Sequence, residues 1–301
     1  MGTGHSHGQV QAGHEKTLWI ALALTTTFLV VEIIGAFVTN SLALLSDAAH
    51  MFTDAAALAI ALAAIQIGKR IADRKRTFGY YRFEILAAAF NAILLLFVAI
   101  YILYEAYQRL RTPAEIQSMG MLVIAVVGLC INLISMRLLR AGSEESLNVK
   151  GAYLEVWSDM LGSIGVIAAA LIIHFTGWNW VDSLVAAAIG LWVLPRTWIL
   201  LKESINILLQ GVPQGIDLEV IESALRGIDG VNEIHDLHVW SLTSGKNVLS
   251  VHVVADLSRR TDQEILAEVD RLVRGFEITH TTIQIETDGF HAQQQTSTET
   301  H

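Results

Sequence analysis

Two pairs of metal-competent side chains stand at the same spacing in two long apolar stretches. In SLALLSDAAHMFTDAAALAIALAAIQI (41–67), His50 and Asp54 are four residues apart and Asp47 precedes His50 by three. In NVKGAYLEVWSDMLGSIGV (148–166), Glu155 and Asp159 are again four apart. An i, i+4 pair stacks on one face of a helix. An ionised side chain at the centre of a bilayer costs about 2.5–3.5 kcal/mol on insertion scales. One such pair alone reads equally as half of an ion site or as polar glue between two helices. Two pairs at one spacing on two spans favour the site. One imidazole and three carboxylates, His50, Asp54, Glu155 and Asp159, suit tetrahedral Zn²⁺ with ligand distances of about 2.0–2.2 Å. Asp47 is placed to support them from one turn away.

Such a donor set also implies proton chemistry. Three carboxylates and a neutral imidazole carry about −3 against the +2 of the ion, and like charges held together away from water gain proton affinity. Metal binding then releases protons, because ligands must be deprotonated. An exchange of Zn²⁺ for H⁺ follows, given access to the site from alternate sides.

The elements that must carry these residues are membrane helices. The chain has 301 residues, 53% hydrophobic and only 16% charged, too apolar for an ordinary soluble protein. Six apolar segments are predicted as spans: 18–38, 42–67, 83–107, 119–136, 152–175 and 181–201. With helix five beginning at Ala152, Glu155 lies near one membrane face, so convergence with His50 requires that helix to start earlier or to tilt. Lys69, Arg70, Arg74, Lys75, Arg76 and Arg82 follow helix two, Arg137, Arg140 and Lys150 follow helix four, and Arg196 and Lys202 mark the exit of helix six. The opposite loops hold only Arg109 and Arg111, so the positive-inside rule puts both termini in the cytoplasm. Topology alone accounts for the basic second loop; a lipid-headgroup patch is its competing use. Glu32, Asn91, Glu105 and Asn132 read as cross-helix polar groups, His174 as an interface residue, and Gly35, Gly162 and Gly165 as points of close helix packing.

The ends and the single cysteine bound the reading further. Residues 1–16 are polar, carry His5, His7 and His14, and read as a disordered tail, its histidines either loose metal ligands or incidental. No cleavage site follows the first apolar run, which is therefore expected to stay as an anchor. Cys130 excludes a disulfide framework and a cysteine-cluster zinc site, and reads as a small buried hydrophobe. The net charge of −9 argues against a nucleic-acid partner.

After the spanning region (17–210) the pattern becomes that of a soluble domain over 211–288, followed by a disordered end, 289–301. A helix over 217–226, strands over 231–242 and 247–256, a helix over 261–275 and a strand over 278–286 make a small α+β unit of order αββαβ. A domain this small is marginal on its own, which favours a two-fold homodimer. Its strands carry His235, His238, His252 and His280 with Asp236 and Glu286. His235 and His252 are favoured as ligands of a second metal; His280 is carried as a further candidate for that cytoplasmic site beside Glu286, and His238 is left open.

SLALLSDAAHMFTD, RTFGYYRFEILAA, SLNVKGAYLEVWSDMLGSIGV, VNEIHDLHVWSLTSG, VLSVHV and HTTIQIE span the chain from about Leu18 to Glu286. In these motifs the chain resembles the cation diffusion facilitators, and most of all their bacterial cobalt–zinc–cadmium resistance branch. The resemblance implies an α-helical membrane protein of six transmembrane helices with a metallochaperone-like cytoplasmic domain, a homodimer in the bacterial inner membrane. It implies export of Zn²⁺ and similar ions driven by inward proton flow. The family's transport site maps onto His50, Asp54, Glu155 and Asp159, and its cytoplasmic site onto His235 and His252 with Glu286. Zinc-preferring members usually have His where this chain has Glu155, which widens the expected range toward Cd²⁺, Co²⁺ or Ni²⁺. The loop after helix two has Asp73 but no histidine, so no metal site is expected there. His280 stands about one residue out of register with the tail histidine of some relatives, and a one-residue shift turns a strand residue to the other face. Only GSEESLN separates helices four and five, as in bacterial members.

The competing class is a membrane-bound metal sensor without transport, which needs no ligands deep in two spans. An enzyme is not expected: the chain has no HExxH, and no Ser/His or Cys/His nucleophile pair is evident.

Overall fold

The computed structural model describes residues 7–68, 72–140, 147–243 and 245–287. Six long helices come first: α1 (His7–Thr39), α2 (Leu42–Gly68), α3 (Arg82–Arg111), α4 (Ser118–Arg140), α5 (Leu147–Thr176) and α6 (Trp180–Leu208). A shorter set follows: α7 (Leu218–Arg226), β1 (Val231–Thr243), β2 (Lys246–Ala255), α8 (Asp262–Arg274) and β3 (Ile278–Glu286). The chain divides into two compact units, Met1–Lys69 with Ala87–Leu201 and Arg70–Leu86 with Lys202–His301.

In the first unit, α1, α3, α4, α5 and α6 each contain, among the described residues, a stretch long and apolar enough to cross a membrane. The 27 residues of α2 extend about 40 Å, also enough for a hydrocarbon core of about 30 Å. Large apolar side chains such as Phe37, Phe90, Phe97, Phe175 and Trp192 point outward, as lipid-facing residues do. Cys130 is exposed on α4 rather than buried, because a spanning helix has no need to hide a small apolar side chain from lipid. Small residues bring the helices close: Ala43, Ala106, Ala169, Ala170 and Ala186 share one core with Leu42, Leu44, Ile102 and Met121. A Cβ on Gly128 would stand 2.5 Å from the ring of Phe28, and one on Gly35 would collide with Ile124. Gly165 has open space around it, so it is not the close-packing point expected of it.

Two helices begin earlier than their apolar stretches. α5 starts at Leu147, not Ala152, which moves Glu155 well inside the helix. α1 starts at His7, within the segment expected to be a disordered tail. Gln9, Gln11, Ala12, Glu15 and Lys16 tolerate helix well, and extending a helix already nucleated needs one hydrogen bond per residue.

Asp182, in the first turn of α6, ties that helix to the start of α2. Its carboxylate accepts hydrogen bonds from Ser41 Oγ (2.6 Å) and from the backbone N–H groups of Leu42 (2.7 Å) and Ala43 (3.2 Å). The first N–H groups of any helix lack intrahelical partners, and here a neighbouring helix supplies them. At the same end, Arg109 of α3 donates to the carbonyl of Asn40 (2.7 Å), the residue that turns the chain between α1 and α2 at φ 57°.

In the second unit the strands form one sheet of order β1-β2-β3, with β1 antiparallel and β3 parallel to β2. Leu249, Val251, Val253 and Ala255 of β2 face α7 and α8 and share a core with Ile221, Leu225, Ile265, Val269 and Val273. α7 is capped by Asp217, and α8 by a capping box of Thr261 and Glu264. β1 carries a bulge between His235 and His238, with Asp236 at φ 51°. Without it, residues three apart would face opposite ways; with it, His235 pairs with His252 and His238 with Ser250.

Candidate metal sites

His50 of α2 and Asp159 of α5 meet inside the first unit, with Nε2 3.2 Å from Oδ1, and each residue is only 6% exposed. Asp54 and Glu155 belong to the same two helices, each one turn away from these; their side chains lie outside the described residues. The spans α3 and α4 separate α2 from α5 in the chain, so as spanning helices the two run in opposite directions. Asp54 then follows His50 toward the same side on which Glu155 precedes Asp159.

Asp47 supports this meeting point by contact with α5. Its Oδ1 lies 2.9 Å from where a Cβ on Gly162 would stand, so glycine is what lets the carboxylate rest against the helix that carries Asp159. Asp47 also lies close to the carboxyl of Glu32 of α1, which is 1% exposed. Glu32, Asp47, His50 and Asp159 thus line up acidic and imidazole groups from α1, α2 and α5. In the sequence Glu32 reads as an ordinary cross-helix polar group, because its neighbour Asp47 lies on another helix and no spacing reveals it. Asn132 behaves as expected, donating across to Ser163 of α5 (3.4 Å).

The second cluster sits on the open face of the sheet, opposite α7 and α8. His235 and His252 are cross-strand partners, with ring centroids 5.0 Å apart and nearly perpendicular. Glu286, at the end of β3 and buried, lies between them: Oε2 is 3.2 Å from His235 Nε2 and Oε1 is 3.1 Å from His252 Nδ1. The three candidate ligand atoms lie within 4.8 Å of one another.

His280 does not join them. It pairs with Val248, while His252 pairs with Gln284, four residues and about 13 Å further along. The alternation therefore puts His280 on the open face but at its far end, where its ring packs edge-on to Phe78 at 5.4 Å. The fault in the sequence reading is one of distance along the strand, not of face. His238 is exposed beside Asp236, 3.8 Å away, and stays outside the cluster.

The comparisons agree with this architecture over most of its length. Residues 18–209 match the cation efflux transmembrane domain, and residues 213–288 match the cation efflux protein cytoplasmic domain. The chain is 64% identical over 287 residues to the metal cation efflux system protein CzcD of Cupriavidus metallidurans, covering 95% of this chain and 90% of the relative. It is 43% identical over 289 residues to the cadmium, cobalt and zinc/H(+)-K(+) antiporter of Bacillus subtilis, covering 95% and 92%. Among solved structures, the metal-bound C-terminal domain of the CzcD transporter from Cuprividus metallidurans is 46% identical and covers 24% of this chain and 99% of that domain, with a TM-score of 0.22. Six apolar helices, a helix-backed three-stranded tail and these matches make the chain a membrane transporter of the cation efflux family, the cation diffusion facilitators.

Proposed function

We propose that the protein exports divalent transition metals from the cytoplasm, Zn²⁺ together with Cd²⁺, Co²⁺ or Ni²⁺, in exchange for inward-moving protons. The observation that carries this reading is the buried meeting of His50 and Asp159 from two spans. Asp54 and Glu155 complete the transport site, and the ion is the substrate that passes through it. Neutral imidazole and carboxylate are the forms that bind metal, so each ion taken up displaces protons and each proton taken up weakens the site. Both termini face the cytoplasm across the bacterial inner membrane, and two chains pair as a homodimer through the tail. The relatives are named as efflux proteins and antiporters, which favours transport over sensing alone and over enzyme activity.

The tail cluster is proposed as a cytoplasmic metal site. Donors at about 2.0–2.1 Å from a tetrahedral Zn²⁺ lie about 3.3 Å apart; one ligand atom from each of the three residues lies within 4.8 Å of the others, and the two rings approach different oxygens of Glu286 at 3.2 and 3.1 Å, so a small turn of the carboxylate would bring one oxygen to both. His235, His252 and Glu286 would hold the ion and leave a fourth position open. When bound, the metal would clamp the three strands together.

The test is uptake of Zn²⁺, Cd²⁺, Co²⁺ and Ni²⁺ into inside-out proteoliposomes under an imposed pH gradient, with wild type and Glu155→His. Uptake that follows the gradient, and narrows toward Zn²⁺ in the variant, is the expected result. Uptake indifferent to the gradient would remove proton exchange from the reading.

A further inference from the structure

Residues 75–83 and Leu86, at the approach to and start of α3, line with Gln210 and with Trp240 and Leu242 of β1 an open cavity of about 480 Å³, a size suited to a small ligand. The wall is built by specific contacts. Asp73 accepts the Tyr80 hydroxyl (2.5 Å) and the backbone N–H groups of Lys75 (2.7 Å) and Arg76 (2.8 Å). Those bonds, the Tyr80 hydroxyl first, hold its carboxyl below the usual range. The Arg76 guanidinium lies over Tyr80 (4.8 Å) and Phe83 (5.3 Å), and Lys246 lies over Tyr81 (3.6 Å). Glu84 accepts the Thr243 hydroxyl (2.6 Å). The neighbouring acids are thus engaged, whereas the charged residues lining the cavity, Lys75, Arg76 and Arg82, are all cations. Among the described residues no salt bridge neutralises any of the three.

Position says what anion this cavity meets. Arg82, Phe83 and Leu86 belong to the first turns of the spanning helix α3, and Gln210 stands two residues past the end of α6. The ends of spanning helices lie among lipid headgroups, where basic residues and aromatic rings are favoured. We propose that the cavity binds the phosphate of an anionic phospholipid headgroup, held by Arg76 and Arg82, with the aromatic wall against its glycerol. A free phosphate offers the same anionic chemistry; the helix ends and the apolar wall favour the lipid. A lipid seated there ties the loop between two spans to β1 of the tail.

The test titrates full-length protein in neutral detergent with dihexanoyl phosphatidylglycerol, dihexanoyl phosphatidylcholine and inorganic phosphate, reading the part of the tryptophan emission that Trp240→Phe removes. A saturable change with phosphatidylglycerol alone is expected. It should weaken at least about tenfold in Arg76→Gln/Arg82→Gln, hold within about threefold in Arg76→Lys/Arg82→Lys, and be unchanged in Lys202→Gln, an exposed cation outside the cavity. An equal response to phosphatidylcholine, or full affinity in the glutamine variant, overturns the proposal. Equal loss in the lysine variant reports collapse of the cavity rather than loss of charge, and overturns it too. Saturation by inorganic phosphate in the same range assigns the cavity to free phosphate instead of lipid.

Discussion

Asp159→Ala removes the carboxylate that faces His50 across α2 and α5. Metal flux in proteoliposomes should fall at least about tenfold, the smaller loss expected when even the groups behind metal ligands are changed, while size-exclusion chromatography shows an intact protein. Wild-type flux in this variant would take the transport site away from Asp159. Gly162→Ala puts a methyl group where the Asp47 carboxylate now rests. Overpacking of this kind costs about 1–3 kcal/mol, so the thermal midpoint should drop and flux fall with it. Gly165→Ala is the control, because nothing lies within 4 Å of that added carbon. Equal midpoints for the two variants would deny Asp47 its contact with α5.

Helix ends carry the next two predictions. Asp182→Ala leaves Ser41 and the N–H groups of Leu42 and Ala43 without their acceptor. Losing a buried cap costs about 2 kcal/mol, and hydrogen exchange should quicken at the start of α2 before it does elsewhere in that helix. Unchanged protection there would remove the pin between α6 and α2. In the tail, the backbone N–H and hydroxyl of Thr261 both donate to Glu264 at 2.9 Å, the N–H bond being the larger cause of a carboxyl held below its usual range. A depressed carboxylate stabilises the fold above the unfolded value and loses that contribution as pH falls through the folded one. Protection factors in α8 should therefore be level from pH 7 down to about pH 4.3 and decline below it. Glu264→Gln should abolish that decline; a decline of equal size in the variant would assign it to other acids.

The distribution of Lys and Arg predicts a cytoplasmic tail. Trypsin added to inside-out vesicles should cut within 211–288, and added to right-side-out vesicles should leave the tail whole. The reverse pattern would invert the orientation and, with it, the direction of export. Much of this plan was legible in the chain. Spans, strands and caps such as Asp217 and Thr261 leave local signals within a few residues, and all the predicted elements form. The histidine and acid pairs were visible because each lies on one helix face. Glu32 with Asp47, Asp47 with Gly162, and Asp182 with Ser41 left no such mark, since each joins different helices.

By itself the sequence determined the alternation of spans and tail, the two i, i+4 pairs of metal-competent side chains and the strand histidines, because a helix repeats every 3.6 residues and a strand every 2 wherever the chain lies. Tertiary structure alone decided which of these meet. The Asp236 bulge sets the faces of His235 and His238 on β1, the parallel register carries Glu286 to the two histidines and leaves His280 beside Phe78, and the early start of α5 moves Glu155 deeper into its helix. Proximity between distant residues is a property of packing, fixed by side-chain volume, register and strand irregularity rather than by any local repeat.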